Sequence, residues 1–270
     1  MEKITSGIPS LDLLIDGGMS RGSLILLLGE VGSGHYEFAY TSAAMIAEKK
    51  KKSRDTLLPS EVYYISITRT SKDILNEIGA SFRGFDPVDI RILDLSETYF
   101  RSSRIPLSWI ADTGSHNLSM LKGISRDQEV LSEIVTRLDE HGPDNLIIID
   151  SLTALIRVYS NTDDRWSEFI RFLQGLQRVS KRWGGIIYMI LTANVFERAK
   201  EEEIADVADG AFFFRWEEWG TGVNRRSMII TKLKGDLPRL EDGGIVKFEV
   251  NISSYEGLTL VPIRQILGRG

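Results

Sequence analysis

Residues 29–38, GEVGSGHYEF, have the glycine spacing of a phosphate-binding loop without its two usual reactive side chains. Such a loop has the pattern G-x-x-x-x-G-K-[ST], and its backbone N–H groups converge on phosphates at the start of a helix. Here histidine stands at the lysine position and tyrosine at the hydroxyl position. The candidate binding residues of this loop are Gly29, Glu30, Val31, Gly32, Ser33, Gly34, His35 and Tyr36.

Both replacements weaken the side-chain part of phosphate chemistry. Lysine carries a permanent charge to the phosphates, whereas His35 is shorter and, with an ordinary pKa of about 6.5, is a minority cation at pH 7. The phenol of Tyr36 lies too far from its Cα to replace a Mg²⁺-binding hydroxyl, and Mg²⁺ requires near-ideal octahedral geometry. The loop alone therefore leaves two interpretations open: a nucleotide site without efficient hydrolysis, or a glycine-rich turn that only the fold requires.

The segments around the loop have the order that a phosphate site needs. SLILLLG (23–29) is an unalternating apolar run that ends in glycine, which predicts a buried parallel strand. The segment from His35 to Lys52 lacks proline and glycine and predicts a helix. Strand, glycine loop and helix together form the required context.

The remaining patterns predict an α/β fold. Further strands are predicted at 62–67, 89–95, 145–151 and 184–192, and helices at 71–80, 125–138 and 166–179. Four more strands, with no helices between them, follow at 211–216, 226–233, 245–250 and 258–263. This order predicts a mostly parallel twisted sheet flanked by helices and extended by C-terminal antiparallel strands. We expect one domain over 1–270, with 96–123 as an irregular insertion.

Composition excludes several classes of protein. The chain has 270 residues, 42% of them hydrophobic and none of them cysteine, so disulfides, thiol chemistry and cysteine-based zinc sites are excluded. Its three histidines lack ligand spacing, and no metal site is predicted. The longest apolar runs are too short for a bilayer, and we expect a cytoplasmic protein without membrane contact. A net charge of −5 argues against broad capture of nucleic acid.

A longer stretch, SGIPSLDLLIDGGMSRGSLILLLGEVGSG (6–34), resembles the entry segment of KaiC- and RadA-type ATPases of the RecA fold. The HYEF variant is also similar to a divergent archaeal subset of this group, the HTR-like proteins. The resemblance covers nearly the full chain, most weakly at 96–123, and implies a RecA-like core. The residues that fall on the family pattern in order are Gly7, Ile8, Pro9, Leu11, Asp12, Gly17, Gly18, Arg21 and Gly22.

The resemblance also implies roles outside the loop. LIIIDS (146–151) is similar to the Walker B strand, which makes Asp150 the carboxylate that would reach Mg²⁺ through water. KLKG (232–235) resembles a strand end whose basic residues reach the nucleotide of a neighbouring subunit. Lys232 and Lys234 are therefore candidate trans-acting cations, and the alternative is that they are exposed lysines on a strand.

One family feature is missing after the second predicted strand. KaiC-like ATPases carry a pair of acidic residues there, one of them the general base, but in ISITRTSKDIL (65–75) the pair maps onto Thr68 and Arg69. Neither side chain takes a proton from water at neutral pH. With the changes in the loop, this departure argues against useful hydrolysis, and no catalytic residue is assigned. We expect Arg69 to pair with Asp150, where a hydrated Mg²⁺ would otherwise sit.

These observations favour a pseudo-ATPase that acts as a regulatory or scaffold protein through an unidentified protein partner. It is expected to bind ATP or ADP weakly or not at all, without Mg²⁺ and without efficient hydrolysis. The insertion 96–123, with Arg101, Arg104 and Trp109, is a candidate partner surface, and simple loop drift is the alternative.

Two other functions stay open. The first is a functional ATPase in which His35 and the KLKG lysines supply charge. The second is a RadA-paralogue-type accessory protein of DNA recombination or repair. DNA binding is disfavoured because residues 195–206, in the region of a DNA-facing loop, contain more acidic than basic residues. A homo-oligomer is expected by analogy alone.

Overall fold

Two β-sheets are present in the computed structural model, which describes residues 2–52, 58–101, 103, 105, 106, 109, 126–219, 222–244 and 246–263. The small sheet pairs β1 (Lys3–Ile4) with β2 (Met19–Ser20), and α1 (Pro9–Leu14) lies between them in the chain. The strands of the large sheet are β3 (Ser23–Gly29), β4 (Val62–Ser66), β5 (Ile90–Asp94), β6 (Leu146–Asp150), β7 (Ile186–Thr192), β8 (Gly210–Trp219), β9 (Val223–Leu233), β10 (Lys247–Ser253) and β11 (Gly257–Ile263).

Helices cover both faces of the large sheet. They are α2 (His35–Lys52), α3 (Ser71–Ser81), α4 (Ser96–Phe100), α5 (Arg126–His141), α6 (Leu152–Tyr159), α7 (Asp163–Trp183), α8 (Arg198–Val207) and α9 (Leu237–Asp242). Apolar residues of α2 and α3 pack in the core on one face, and those of α5, α6, α7 and α8 pack on the other. Because side chains of a strand alternate between faces, β3 contributes Ile25 and Leu27 to the first core and Leu24 and Leu26 to the second.

The strand order of the large sheet is β11-β10-β9-β8-β3-β7-β6-β4-β5. The pairs from β8 to β5 are parallel, and the pairs from β8 to β11 are antiparallel. This arrangement confirms the predicted α/β class, in which a mostly parallel sheet with flanking helices is extended by C-terminal antiparallel strands. The parallel strands all end at the same edge, which we call the carboxyl edge, and begin at the opposite amino edge.

Three local predictions were wrong or incomplete. A helix, α9, does lie between β9 and β10; it begins beside Pro238 and is too short for its periodicity to show in the sequence. Residues 195–206 are mostly the helix α8 rather than a loop. The insertion 96–123 begins with the helix α4, and most of the rest of it, including Arg104, lies outside the described residues.

Within the described ranges, none of the helices has the length and apolar character needed to cross a membrane.

Candidate functional site

The phosphate loop joins β3 to α2 at the carboxyl edge, as the sequence predicts. Gly32 and Gly34 have φ angles of +74° and +113°, which side chains with a Cβ rarely adopt. The Ser33 amide donates to the Glu30 carbonyl at 3.0 Å. Among the described residues, no acceptor binds the amides of Gly32, Gly34 or His35. These N–H groups, together with the buried and unpartnered Ser33 hydroxyl, fit the oxygen atoms of a phosphate.

His35 lies at the lysine position of the loop, but its ring points into the protein. The residue is 2% exposed, and neither ring nitrogen has a hydrogen-bond partner. Burial lowers the pKa of His35 to about 4. The imidazole is therefore neutral at pH 7 and supplies no positive charge to a phosphate, which removes the charge that the functional-ATPase interpretation assigned to it.

Asp150, at the end of β6, is buried and surrounded by phenol groups. The Tyr64 hydroxyl donates to its Oδ2 at 2.7 Å, and the Tyr36 phenol lies beside the same carboxylate. Burial raises the pKa of Asp150, although the two phenols and the nearby positive charge of Arg69 act in the opposite direction. Tyr36 thus occupies the region between the loop and the carboxylate, where a metal ion would have to fit.

Arg69 completes this cluster. Its Nη1 lies 3.8 Å from Asp150 Oδ2, the contact that the sequence led us to expect, and donates to the Tyr40 hydroxyl at 2.8 Å. Its Nη2 contacts Glu77. Thr68, the other substituted position, lies half-buried in the bend between β4 and α3.

Mg²⁺ does not fit this arrangement. The carboxylate that should hold its water ligands instead accepts a hydrogen bond from Tyr64, lies beside the Tyr36 phenol and faces a guanidinium. No group of three metal-ligating side chains occurs among the described residues. The cationic guanidinium beside the carboxylate makes these surroundings unfavourable for a hard divalent cation.

Lys232 and Lys234 lie at the amino edge, away from the phosphate loop. Lys232 pairs with Ala211 at the start of β8, and its Nζ donates to the Ala205 carbonyl at 3.2 Å. Lys234 Nζ donates to Asp209 Oδ1 at 3.0 Å. Within one chain these lysines do not join the loop site. A role at the nucleotide of a neighbouring subunit stays a prediction.

Four residues of the site were missed in the sequence. Tyr40 lies one helical turn after Tyr36, a spacing that could have indicated a shared face. Tyr64 lies within an apolar strand, where a tyrosine looks like an ordinary core residue. Trp216 and Arg226 contact the loop carbonyls through Nε1 and Nε, at 3.1 Å to Val31 and 2.8 Å to Gly32. Nothing in the local sequence indicates those two contacts.

A parallel sheet with a glycine-rich loop after its first long strand, and a carboxylate at the end of β6, which β7 separates from that strand, defines a RecA-like P-loop domain. Residues 4–241 match the family described as "ATPase: KaiC", and the chain therefore belongs to the KaiC ATPase family.

Two solved archaeal structures are similar in fold. The KaiC-like protein of Pyrococcus horikoshii has a TM-score of 0.64 and 20% identity, over 96% of this chain and 99% of that chain. The flagellar accessory protein FlaH of Methanocaldococcus jannaschii has a TM-score of 0.61 and 15% identity, over 93% and 94% of the two chains. At these identities the similarity shows that the fold is RecA-like and KaiC-like.

Proposed function

We propose that this KaiC-family protein is a pseudo-ATPase, in which the loop binds the phosphates of ATP or ADP weakly without Mg²⁺ and hydrolysis is inefficient. The observation that carries the proposal is the contact of Tyr36, Tyr64 and Arg69 with Asp150. Arg69, which faces Asp150, also stands at one position of the missing acidic pair, so metal positioning and water activation are lost together. The HYEF loop supports assignment to the HTR-like subset.

The output of such a protein is a change in its binding to another protein. A ligand that is not consumed can shift only the equilibrium between conformations or assemblies, by its difference in affinity for them. One of the fold neighbours is described as an accessory protein, which agrees with a regulatory or scaffold role. The identity of the partner does not follow from these contacts.

Calorimetric titration with ATP and ADP, with and without Mg²⁺ and at pH 6 and pH 8, tests the proposal. We expect weak binding that Mg²⁺ does not strengthen. His35, with a pKa of about 4, is neutral at both pH values and should add no pH dependence to the affinity. The double variant His35→Lys, Tyr36→Thr restores the lysine and the small hydroxyl, and it should acquire Mg²⁺-dependent binding.

Two results would contradict the proposal. Tight Mg²⁺-dependent binding, with turnover that disappears in Asp150→Asn, would make the protein a functional ATPase. The absence of binding at millimolar nucleotide would leave a scaffold with no ligand at the loop. The intact backbone of the loop, with its unbound amides, is the observation that favours the functional ATPase as the second candidate.

A further inference from the structure

Two side chains from the antiparallel part of the sheet hold the phosphate loop from outside. Trp216 on β8 and Arg226 on β9 are direct cross-strand partners. Trp216 Nε1 donates to the Val31 carbonyl at 3.1 Å, and Arg226 Nε donates to the Gly32 carbonyl at 2.8 Å. The backbone amide of Trp216 donates to Glu30 Oε2 at 2.9 Å. The Arg226 guanidinium lies 4.4 Å from the centre of the Trp216 indole, so the two side chains support each other.

These contacts fix the directions of consecutive peptide groups. In a trans peptide the carbonyl and the following N–H point in opposite directions. Trp216 holds the Val31 carbonyl, and the Gly32 N–H therefore points away from the hairpin of β8 and β9. Arg226 holds the Gly32 carbonyl, and the Ser33 N–H accordingly points away from it, toward the Glu30 carbonyl at 3.0 Å. Trp216 and Arg226 thus hold the Val31 and Gly32 carbonyls toward the hairpin of β8 and β9, and the Gly32 N–H is left pointing away from it.

Among the described residues, the other anchoring hydrogen bonds lie at the start of the loop, where the Gly29 carbonyl accepts from the Ala193 amide at 2.8 Å and the Glu30 amide donates to the Phe214 carbonyl at 3.0 Å. His35 has no hydrogen-bond partner on either ring nitrogen, and Val31 at the tip is 82% exposed. Glycines at 32 and 34 make the backbone permissive, so an unanchored loop would lose conformational freedom whenever an anion binds. Anchoring the carbonyls beforehand lowers that cost of binding.

We infer that Trp216 and Arg226 are positioning residues that hold the phosphate loop in its anion-binding shape before a ligand arrives. The inference rests on the proposed function, in which the ligand is the di- or triphosphate group of a nucleotide. Arg226 also places a permanent positive charge beside a loop whose own cation is replaced by a neutral histidine. Among the described residues, no acceptor binds its Nη groups.

Backbone ¹⁵N relaxation of the ligand-free protein tests the inference. Trp216→Phe keeps an aromatic ring under Arg226 but removes the N–H donor, and Arg226→Leu removes the second donor. The matched control is Arg225→Leu, because Arg225 is the preceding residue of β9 and pairs with Glu249 at 3.0 Å. Order parameters of the Gly32 and Gly34 amides should be about 0.85 in the wild type and the control, and below about 0.6 in both positioning variants.

Titration of the same proteins with ATP in the absence of Mg²⁺ separates this inference from the proposed function. Both positioning variants should bind about ten-fold more weakly than the wild type, and the control within about two-fold. Loop amides that stay rigid in Trp216→Phe and Arg226→Leu overturn the inference, whatever the affinities are. A wild type that binds no nucleotide, but whose loop loosens in these variants, contradicts the proposed function and still supports the positioning role.

Discussion

The imidazole of His35 lies directly over Gly29: a Cβ on Gly29 would come within 2.3 Å of His35 Nδ1. Gly29→Ala therefore forces the ring out of its buried position, and we expect it to lower the free energy of unfolding by about 1–3 kcal/mol. In a His35→Ala background the ring contacts are absent and the Cβ of residue 35, at 2.8 Å, stays close, so the same substitution should cost less. Urea denaturation of the four proteins of this double-mutant cycle measures the difference.

Gly79 provides the control for that cycle. No atom lies within 4 Å of a Cβ built on this helical glycine. Gly79→Ala should be neutral or raise the free energy of unfolding by about 0.5–1 kcal/mol, through the lower conformational entropy of alanine. An equal cost of Gly29→Ala in both backgrounds would show that the ring does not lie where the structure places it.

The lowered pKa of His35 predicts a pH dependence of stability. Between pH of about 4, its folded value, and about 6.5, its unfolded value, the unfolded chain binds the extra proton. The contribution of this residue to the free energy of unfolding therefore rises with pH across that window, by at most on the order of 3 kcal/mol. His35→Leu should lack this contribution.

Urea denaturation of wild type and His35→Leu at several pH values between 4 and 7 checks this prediction. All other titrating groups are shared by the two proteins, so the difference between their curves isolates His35. Parallel curves would mean that the imidazole becomes protonated as easily in the folded protein as in the unfolded chain.

The contact between Arg69 and Asp150 predicts that removal of the guanidinium destabilises the carboxylate. Arg69→Ala should lower the free energy of unfolding by about 2 kcal/mol at pH 7, because a buried charge loses its cationic neighbour. The cost should be smaller at pH 4. Loss of Arg69 raises the folded pKa of Asp150 further, and an acid with a raised folded pKa lowers stability only above its unfolded pKa.

Calorimetric titration of Arg69→Ala with Mg²⁺ complements the stability measurement, since the variant opens one side of the Asp150 carboxylate. Asp150→Asn in the same background should recover much of the lost stability. If Arg69→Ala changes neither stability nor metal affinity, the guanidinium does not replace a metal ion at this site.

The pKa of Asp209, at the amino edge, is shifted in the opposite direction from that of Asp150. It accepts hydrogen bonds from the Leu24 amide at 3.0 Å, Gln177 at 2.9 Å and Lys234 at 3.0 Å, and it also pairs with Lys181. Burial alone would raise the pKa of Asp209, but these donors outweigh it, so the pKa lies below its ordinary value. The resulting stability is present above the unfolded pKa and is lost as the pH falls through the folded one.

Asp209→Asn should therefore cost about 3 kcal/mol at pH 7, and the cost should shrink toward pH 3. Asp206→Asn is the matched control, because the Asp206 side chain is 92% exposed. Its Oδ1 lies 3.6 Å from Lys232 Nζ in a solvent-exposed ion pair. It should change stability by less than about 0.5 kcal/mol. Equal effects of the two substitutions in thermal or urea unfolding would contradict an anchoring role for Asp209.

Local patterns in the sequence were sufficient for the strands of the large sheet, the loop and the position of Asp150, but not for the two short strands of the small sheet. A short unalternating apolar run that ends in glycine, such as 23–29, favours a buried strand, and glycine spacing marks the turn that follows. The short helix α9 was missed because six residues are too few for a helical period to show.

The surroundings of the site needed three-dimensional information. The sequence gives the ordinary pKa of His35, but its low value depends on burial that tertiary packing creates. Trp216 and Arg226 meet only through the register of β8 and β9, in which a shift of one residue would turn both side chains to the other face. The family resemblance identified Arg69 as a substituted position, and only the fold shows that Tyr40 and Tyr64 surround it.

The Asp209 cluster and the phosphate loop stand at opposite ends of β3, whose seven residues span roughly 20 Å. Substitutions at sites this far apart that share no contacts are expected to act additively. Substitutions that change ligand binding at the loop should therefore leave the stabilising contacts of Asp209 intact. By the same reasoning, a KaiC-type framework should tolerate substitutions at its phosphate loop.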